Sequence, residues 1–422
     1  MSCHVHLPVL AATLLGLAGC DVYPVGPGPT GIADFSNLPD NGCGRGFLIS
    51  SSDYQSSNIS AINWQGHQLT PSLVSSGLTA AGLVQAFSGD VVLPTERQLG
   101  SEALIIDRYP QSVLSFVTLA TAEIRKQIDV STGFAANPRD ALRLEDGRIL
   151  VTRFDSNLDL GRNPYDAGGD LVVVDQDSKQ VRARIDLRPA TLKATDILLP
   201  HPDRMLRHGN VIYVVVPLYS HDYQTTGASY LVSLDSKTLG LIGSLELTGL
   251  KGCSGLSLSP DSAELAIACF GNWLGDEGSD PETSGLVGLD ITAAPIERWR
   301  LLATSLSPSL PFGFSVAYAN HSHVVAVALG HLAEAGQSAE SDRFVSYDVK
   351  TKAVETIYVE RGTPFSLGDV SCLSPCGSCA LANANGRGEV MLFEDNGAQV
   401  KAIASFPSDP QLGLPPRWLG TF

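Results

Sequence analysis

The chain is 422 residues long, 44% hydrophobic and only 17% charged, a composition that excludes an intrinsically disordered protein and supplies ample core. Its 44 acidic residues outnumber 28 lysines and arginines, and the formal charge of −16 opposes binding to nucleic-acid backbones or anionic membranes through a general field. Nucleic acid is therefore not an expected partner, while 41 glycines and 25 prolines imply turns throughout.

Residues 7–19 are small and apolar, too short for a membrane span of about 20 residues, and they end in Leu17-Ala18-Gly19-Cys20. This stretch resembles the bacterial lipoprotein signal, and the resemblance implies that Cys20 becomes the lipidated first residue of the mature chain. The segment before it, Met1 to His6, has no lysine or arginine, unlike an ordinary export signal. Asp21 resembles an inner-membrane retention signal of some bacteria, which leaves the outer membrane and the periplasmic face of the inner membrane both open. Tyr23 to Gly44 is rich in Pro and Gly and reads as a tether.

The clearest structural unit runs from Asn137 to Leu187. Arg139 to Leu144 reads as a strand, Asp146-Gly147 as a tight turn, and Arg148 to Arg153 as the answering β-branched run. After a polar loop, Asp170 to Asp175 and Val181 to Leu187 complete four antiparallel strands. The pattern recurs over Asp90–Val130, Asp203–Leu247, Gly252–Ala303, Phe312–Glu360 and Leu367–Phe406. A first repeat, Phe47 to Val74, shows only three strands. Because ring closure removes open sheet edges, Pro416 to Phe422 is expected to supply the missing innermost strand. The prediction is an all-β fold, a seven-bladed β-propeller of four-stranded antiparallel blades, with eight blades as the alternative. The expected organisation is a signal peptide over 1–19, lipidated Cys and tether over 20–45, and a single propeller over 46–422.

At Ile149-Leu150-Val151-Thr152-Arg153, and at hairpins such as Tyr347-Asp348-Val349-Lys350, the repeats resemble the YVTN-type propeller repeats of bacterial exported proteins, with Ile149 in place of the tyrosine. That resemblance covers most of residues 45–422 and implies a fold, since propellers host many unrelated functions.

With Cys3 in the signal and Cys20 lipidated, six cysteines remain, an even number that suits disulfides in an oxidising compartment. Cys253 and Cys269 are equidistant from the Pro260-Asp261-Ser262 turn and should face each other across a hairpin, and Cys372 and Cys379 stand in the same relation. The remaining pair, Cys43 and Cys376, falls at one end of adjacent blades and is expected to lock the ring. The spacing Cys372-x3-Cys376-x2-Cys379 also matches an iron–sulfur motif, which a hairpin behind an export signal disfavours.

Long insertions fall between the second and third strands at Phe154–Gly169, Leu218–Ser229, Gly271–Ser284 and Gly330–Asp342, so one face should be elaborated and serve for binding. In the first insertion Asp155, Asn157, Asp159, Gly161, Asn163 and Asp166 follow the alternate-oxygen spacing of a calcium loop, departing at Leu160 and at Asp166 itself. Calcium is the only candidate cofactor, and an ordinary solvated loop of Asx turns is the competing reading. Arg139, Asp140, Arg153, Tyr165, His221, Asp222, Tyr223, Trp273, Asp276 and Asp280 are the residues expected to line the ligand-binding face. Arg139 and Asp140 would stand near the channel mouth, where an inter-blade salt bridge is the alternative. His321, His323 and His331 are not expected to converge on a metal, and phosphate-loop and Gly-x-Ser-x-Gly motifs are absent.

These features point to a monomeric, lipid-anchored binding or scaffold protein for a protein or glycan partner of the cell envelope, without catalytic residues. The alternative is a metal-assisted lactonase or hydrolase at the channel mouth, for which Asp90, Asp140, Asp203 and Asp369 would have to converge.

Overall fold

Hydrophobic runs bounded by Gly, Pro and Asp turns become strands buried on both faces, because each blade is sandwiched between two others. The computed structural model describes residues 38, 42–77, 82–272, 279–332, 339–374, 376–409 and 411–422. Cys20 and its flanking signal lie outside the described residues, as do Trp273 and Asp276.

Seven antiparallel sheets form the ring. The first blade is built from Gly46–Ser52, Ser57–Asn63 and Gln68–Ser75, with Pro416–Thr421 on its inner edge. Blade two comprises Val91–Val92, Glu102–Asp107, Val113–Thr118 and Ile124–Asp129; blade three comprises Pro138–Arg143, Ile149–Ser156, Gly168–Asp175 and Gln180–Asp186. In blade four the inner strand is interrupted, with Leu198–Pro200 and Met205–His208 both pairing Val211–Ser220, and Thr226–Asp235 and Leu241–Glu246 outside them. Cys253–Leu258 opens blade five, Phe312–Tyr318 blade six and Leu367–Leu373 blade seven, whose outer strand is Val400–Pro407. Thus the ring has seven blades, closed by antiparallel pairing of Phe47 with Thr421 and Ile49 with Leu419.

Apolar clusters fill each junction between blades. Leu150 and Leu171 of blade three meet Val214 and Val232 of blade four, and Phe344 of blade six meets Leu381 and Phe393 of blade seven. The closing junction joins Ala380 and Leu392 to Phe47 and Ile62. Outer strands such as Val400–Pro407 face solvent along most of their length.

All three expected disulfides are present: Cys253–Cys269 and Cys372–Cys379 each pair directly opposed residues across a hairpin, and Cys43–Cys376 ties the first and last blades. Two expectations shift. The inner edge of blade four begins at Leu198 rather than Asp203, because Leu198–Pro200 pairs with Leu218–Ser220. That same pairing turns most of the Leu218–Ser229 insertion into a longer β-ribbon with a tip at residues 221–225.

Candidate functional site

The loops between second and third strands share one face, and there the inner strands depart from regular pairing. Registers slip around Arg417 in blade one, Arg139 and Asp140 in blade three, Ser254 in blade five, Gly313 to Ser315 in blade six and Gly368 and Asp369 in blade seven. In blade four the corresponding irregularity spans His201 to Arg204, between its two inner segments. A bulge leaves residues unpaired and re-aims their side chains, and here the irregularities turn the start of the inner strands toward the axis. They open a funnel of about 370 Å³, while a second cavity of about 410 Å³ opens on the opposite face. Arg204, Phe314, Ser315 and Asp369 line both, so they form the waist of the channel.

The funnel is chemically two-sided. Arg417, Arg108, Arg139 and Arg204, from blades one to four, line one side; Phe314, Leu329 and Phe365, from blade six and the segment after it, line the other. Phe314 is half exposed and stacks on Phe270 with ring centroids 4.5 Å apart. Arg108 and Arg204 lie over the Trp418 ring at 4.9 and 5.3 Å, and Arg417 lies over Tyr54 at 5.1 Å, which spends cation–π attraction on holding the guanidinium groups. Arg108 is neutralised by Asp90 through Nε at 2.9 Å. Burial, followed by the positive charge of Arg139, pulls its pKa down to about 10, while Asp90 opposes that shift.

Arg139 is held differently. Its guanidinium lies 4.3 Å from the Phe154 centroid, and its Nε is buried without a hydrogen-bond partner. Among the described residues it makes no ion pair. Phe154 belongs to an aromatic cluster with His201, Tyr219 and Tyr223, whose ring centroids stand 4.9 to 6.2 Å from its own. His201 Nδ1 is 2.9 Å from the Leu199 carbonyl, an acceptor, so Nδ1 carries the proton and donates it. Burial lowers the His201 pKa to about 4, leaving the ring neutral at pH 7.

The expected aspartates are largely occupied. Asp140 is buried and accepts backbone N–H bonds from Thr95 at 3.1 Å, Ala141 at 2.8 Å and Met205 at 2.8 Å, joining blades two, three and four. Asp369 accepts the Leu419 N–H at 2.8 Å and so joins blade seven to the closing strand. Burial raises the pKa of both. Asp90 serves Arg108, and Asp203 stands 3.8 Å from Arg204 Nε. Arg139 and Asp140 therefore do not form the salt bridge that was the alternative for them.

Arg153 is a correction: it does not line the face. It is wholly buried, bonded to Asp170 at 2.8 and 2.9 Å, to the Tyr165 carbonyl at 2.6 Å and to Thr132 Oγ1 at 2.6 Å. The bulge behind it keeps Arg153 paired with both Pro138 and Asp170 inside the blade.

In the acidic loop Asp166 accepts N–H bonds from Gly161 at 3.3 Å, Arg162 at 2.9 Å and Asn163 at 3.0 Å. Asn157 closes on Asp159 and Asp166, Asp159 pairs with Arg162, and Asp155 accepts the Tyr223 hydroxyl. These oxygens are engaged within the loop or, for Asp155, with the blade-four ribbon, and no group of three or more His, Cys, Asp or Glu side chains among the described residues is arranged to hold a metal. Tyr165 is partly exposed and donates to the Arg182 carbonyl at 2.8 Å. His221, Asp222 and Tyr223 form the exposed tip of the blade-four ribbon, and Asp280 closes its own turn onto Glu282 N–H at 2.9 Å.

Arg108, Arg204, Arg417 and Trp418 were not singled out as site residues from sequence. Arg204, Arg417 and Trp418 stand at the starts of inner strands and Arg108 directly follows the second strand of blade two, so only the pairing of strands brings the four together.

No protein-family model and no curated protein matches the chain. Solved structures do. A candidate 6-phosphogluconolactonase of Bacteroides uniformis is 10% identical over 89% of this chain and 98% of its own, with a TM-score of 0.54. A second, from Bacteroides fragilis, is 11% identical over 89% and 97%, at 0.53. The periplasmic gluconolactonase of Pseudomonas aeruginosa is 11% identical over 89% and 98%, at 0.49. At such identities the likeness is one of fold.

Proposed function

We propose that this chain is an exported, lipid-anchored propeller that holds a protein or glycan partner of the cell envelope on its loop face. The observation that carries this reading is that strand extension, most long loops and the inner-strand irregularities share one face, while the hairpin turns of the other are short except for residues 93–101 of blade two. The lipoprotein-like signal and three disulfides favour export.

A photo-crosslinker at Tyr165 or Tyr223 on the loop face, compared with one at Asp146 or Asp261 in the opposite turns, tests it in intact envelopes. Adducts should form from the loop face alone. Equal adducts from both faces, or none, would defeat the reading. Radiolabelled palmitate incorporation lost in Cys20→Ala checks the anchor.

A second reading, a lactone hydrolase in the same funnel, draws on the arginines, which suit the oxyanion formed when a lactone opens. This reading is of a metal-assisted enzyme, and the metal would have to be held by Asp90, Asp140, Asp203 and Asp369, three of which are engaged as described. Hydrolysis of gluconolactone that depends on Arg139 would move the assignment to this reading.

A further inference from the structure

We propose that the axial funnel binds a small molecule bearing an oxyanion, a carboxylate or a phosphate, beside a flat apolar group. The site does not depend on any macromolecule docking on the surrounding loops. Three observations converge on it. The funnel's volume is in the range of small-ligand pockets. Four arginines line it against two aspartates, Asp203 and Asp369, in a protein whose overall charge is strongly negative, so the local sign is opposite to the global one. Arg139 is the cation left over: Arg108 has Asp90, Arg204 donates to the Leu93 and Arg139 carbonyls at 2.9 and 3.2 Å, and Arg417 donates to the Ser52 carbonyl at 3.2 Å.

A buried N–H without an acceptor costs free energy that an incoming oxyanion returns, and a planar guanidinium presents donors in a fork that matches a carboxylate or phosphate edge. Arg139 is also preorganised, since Phe154 fixes its plane and the neutral His201 beneath adds no competing charge. Across the funnel, Phe314 and Phe365 remain substantially exposed at 50% and 44%. Such a surface takes the apolar part of a ligand whose charged end reaches the arginines. Asp369, bound to the closing strand, limits how deep a negative charge can pass.

The test is calorimetric titration of the folded protein with phenyl phosphate, benzoate, inorganic phosphate and benzyl alcohol. Saturable one-to-one binding is expected for an aromatic anion, weaker binding for inorganic phosphate and none for the neutral alcohol. The tighter of phenyl phosphate and benzoate identifies the oxyanion. Arg139→Gln should weaken the aromatic anion about tenfold or more. Phe314→Ala should weaken phenyl phosphate but spare inorganic phosphate, and Arg298→Gln, a substitution of an exposed arginine held by Asp290, should change nothing. Far-UV circular dichroism verifies folding, and Arg417→Gln replaces Arg139→Gln if the latter is misfolded. Absence of binding by all three anions at millimolar concentration, or equal binding in the funnel variants, overturns the proposal. A failed envelope crosslinking experiment leaves it intact.

Discussion

His201 shows how a single buried group couples the site to stability. Its ring sits among Phe154, Tyr219 and Tyr223, with Arg139 disfavouring and Asp155 favouring its charged form, but burial dominates and sets the pKa to about 4. In an unfolded chain the same group titrates near 6.5. Between these values the unfolded state binds a proton that the folded state refuses, so stability falls as pH drops from about 6.5 to about 4 and this contribution is then flat. The full difference is about 3 kcal/mol. His201→Phe keeps a ring in the cluster and removes the titration. Urea midpoints measured from pH 7 to pH 4 should therefore decline less steeply in the variant than in the parent. Parallel declines would mean that His201 titrates at the same pH in the folded and the unfolded chain. Other shifted groups, Glu96 at about 7 and Asp107 at about 6, are common to both proteins and cancel in the comparison.

At the scale of elements, the disulfides divide by what they join. Cys372–Cys379 closes a hairpin with a sequence separation of 7, whereas Cys43–Cys376 spans 333 residues and secures the blade whose inner strand comes from the other end of the chain. In the chain-entropy limit removing the long-range bond costs about 6 kcal/mol and the local one about 2 kcal/mol. The Cys43→Ala, Cys376→Ala pair should therefore lower the urea midpoint more than the Cys372→Ala, Cys379→Ala pair. The reverse order would show that the closing strand holds the ring without help. Both bonds were legible in sequence, because equal distances from a turn and the alternation of strand direction place cysteines without any coordinates. Blade number and ring closure were legible for the same reason: apolar runs, Asp-Gly turns and a three-stranded first repeat are local signals. The funnel was not. A bulge changes the register between two strands while leaving the composition of either strand unaltered, so nothing in Pro416-Arg417-Trp418 distinguishes a residue aimed at the axis from one in a regular ladder. Arg153 failed in the opposite sense, since an arginine ending a β-branched run next to a polar loop reads as exposed until Asp170 is seen opposite it.

At the scale of the whole molecule, the two signs of charge act over different distances. The excess of 44 acidic over 28 basic residues creates a repulsive field for any anion approaching from solution, while the funnel arginines attract it within the mouth. The screening length falls from about 20 Å at low salt to about 6 Å at a few tenths molar, comparable first to the molecule and then to the funnel. Salt should therefore remove the distant repulsion before it removes the contact with Arg139, where burial excludes counterions. Stopped-flow fluorescence following phenyl phosphate should show association about twofold faster or more on raising salt from about 0.02 to about 0.3 M. Dissociation should quicken as well, through partial screening of the arginines. Association that slows with salt would place the controlling field at the funnel, with its cations reaching the solvent unopposed by the acidic surface.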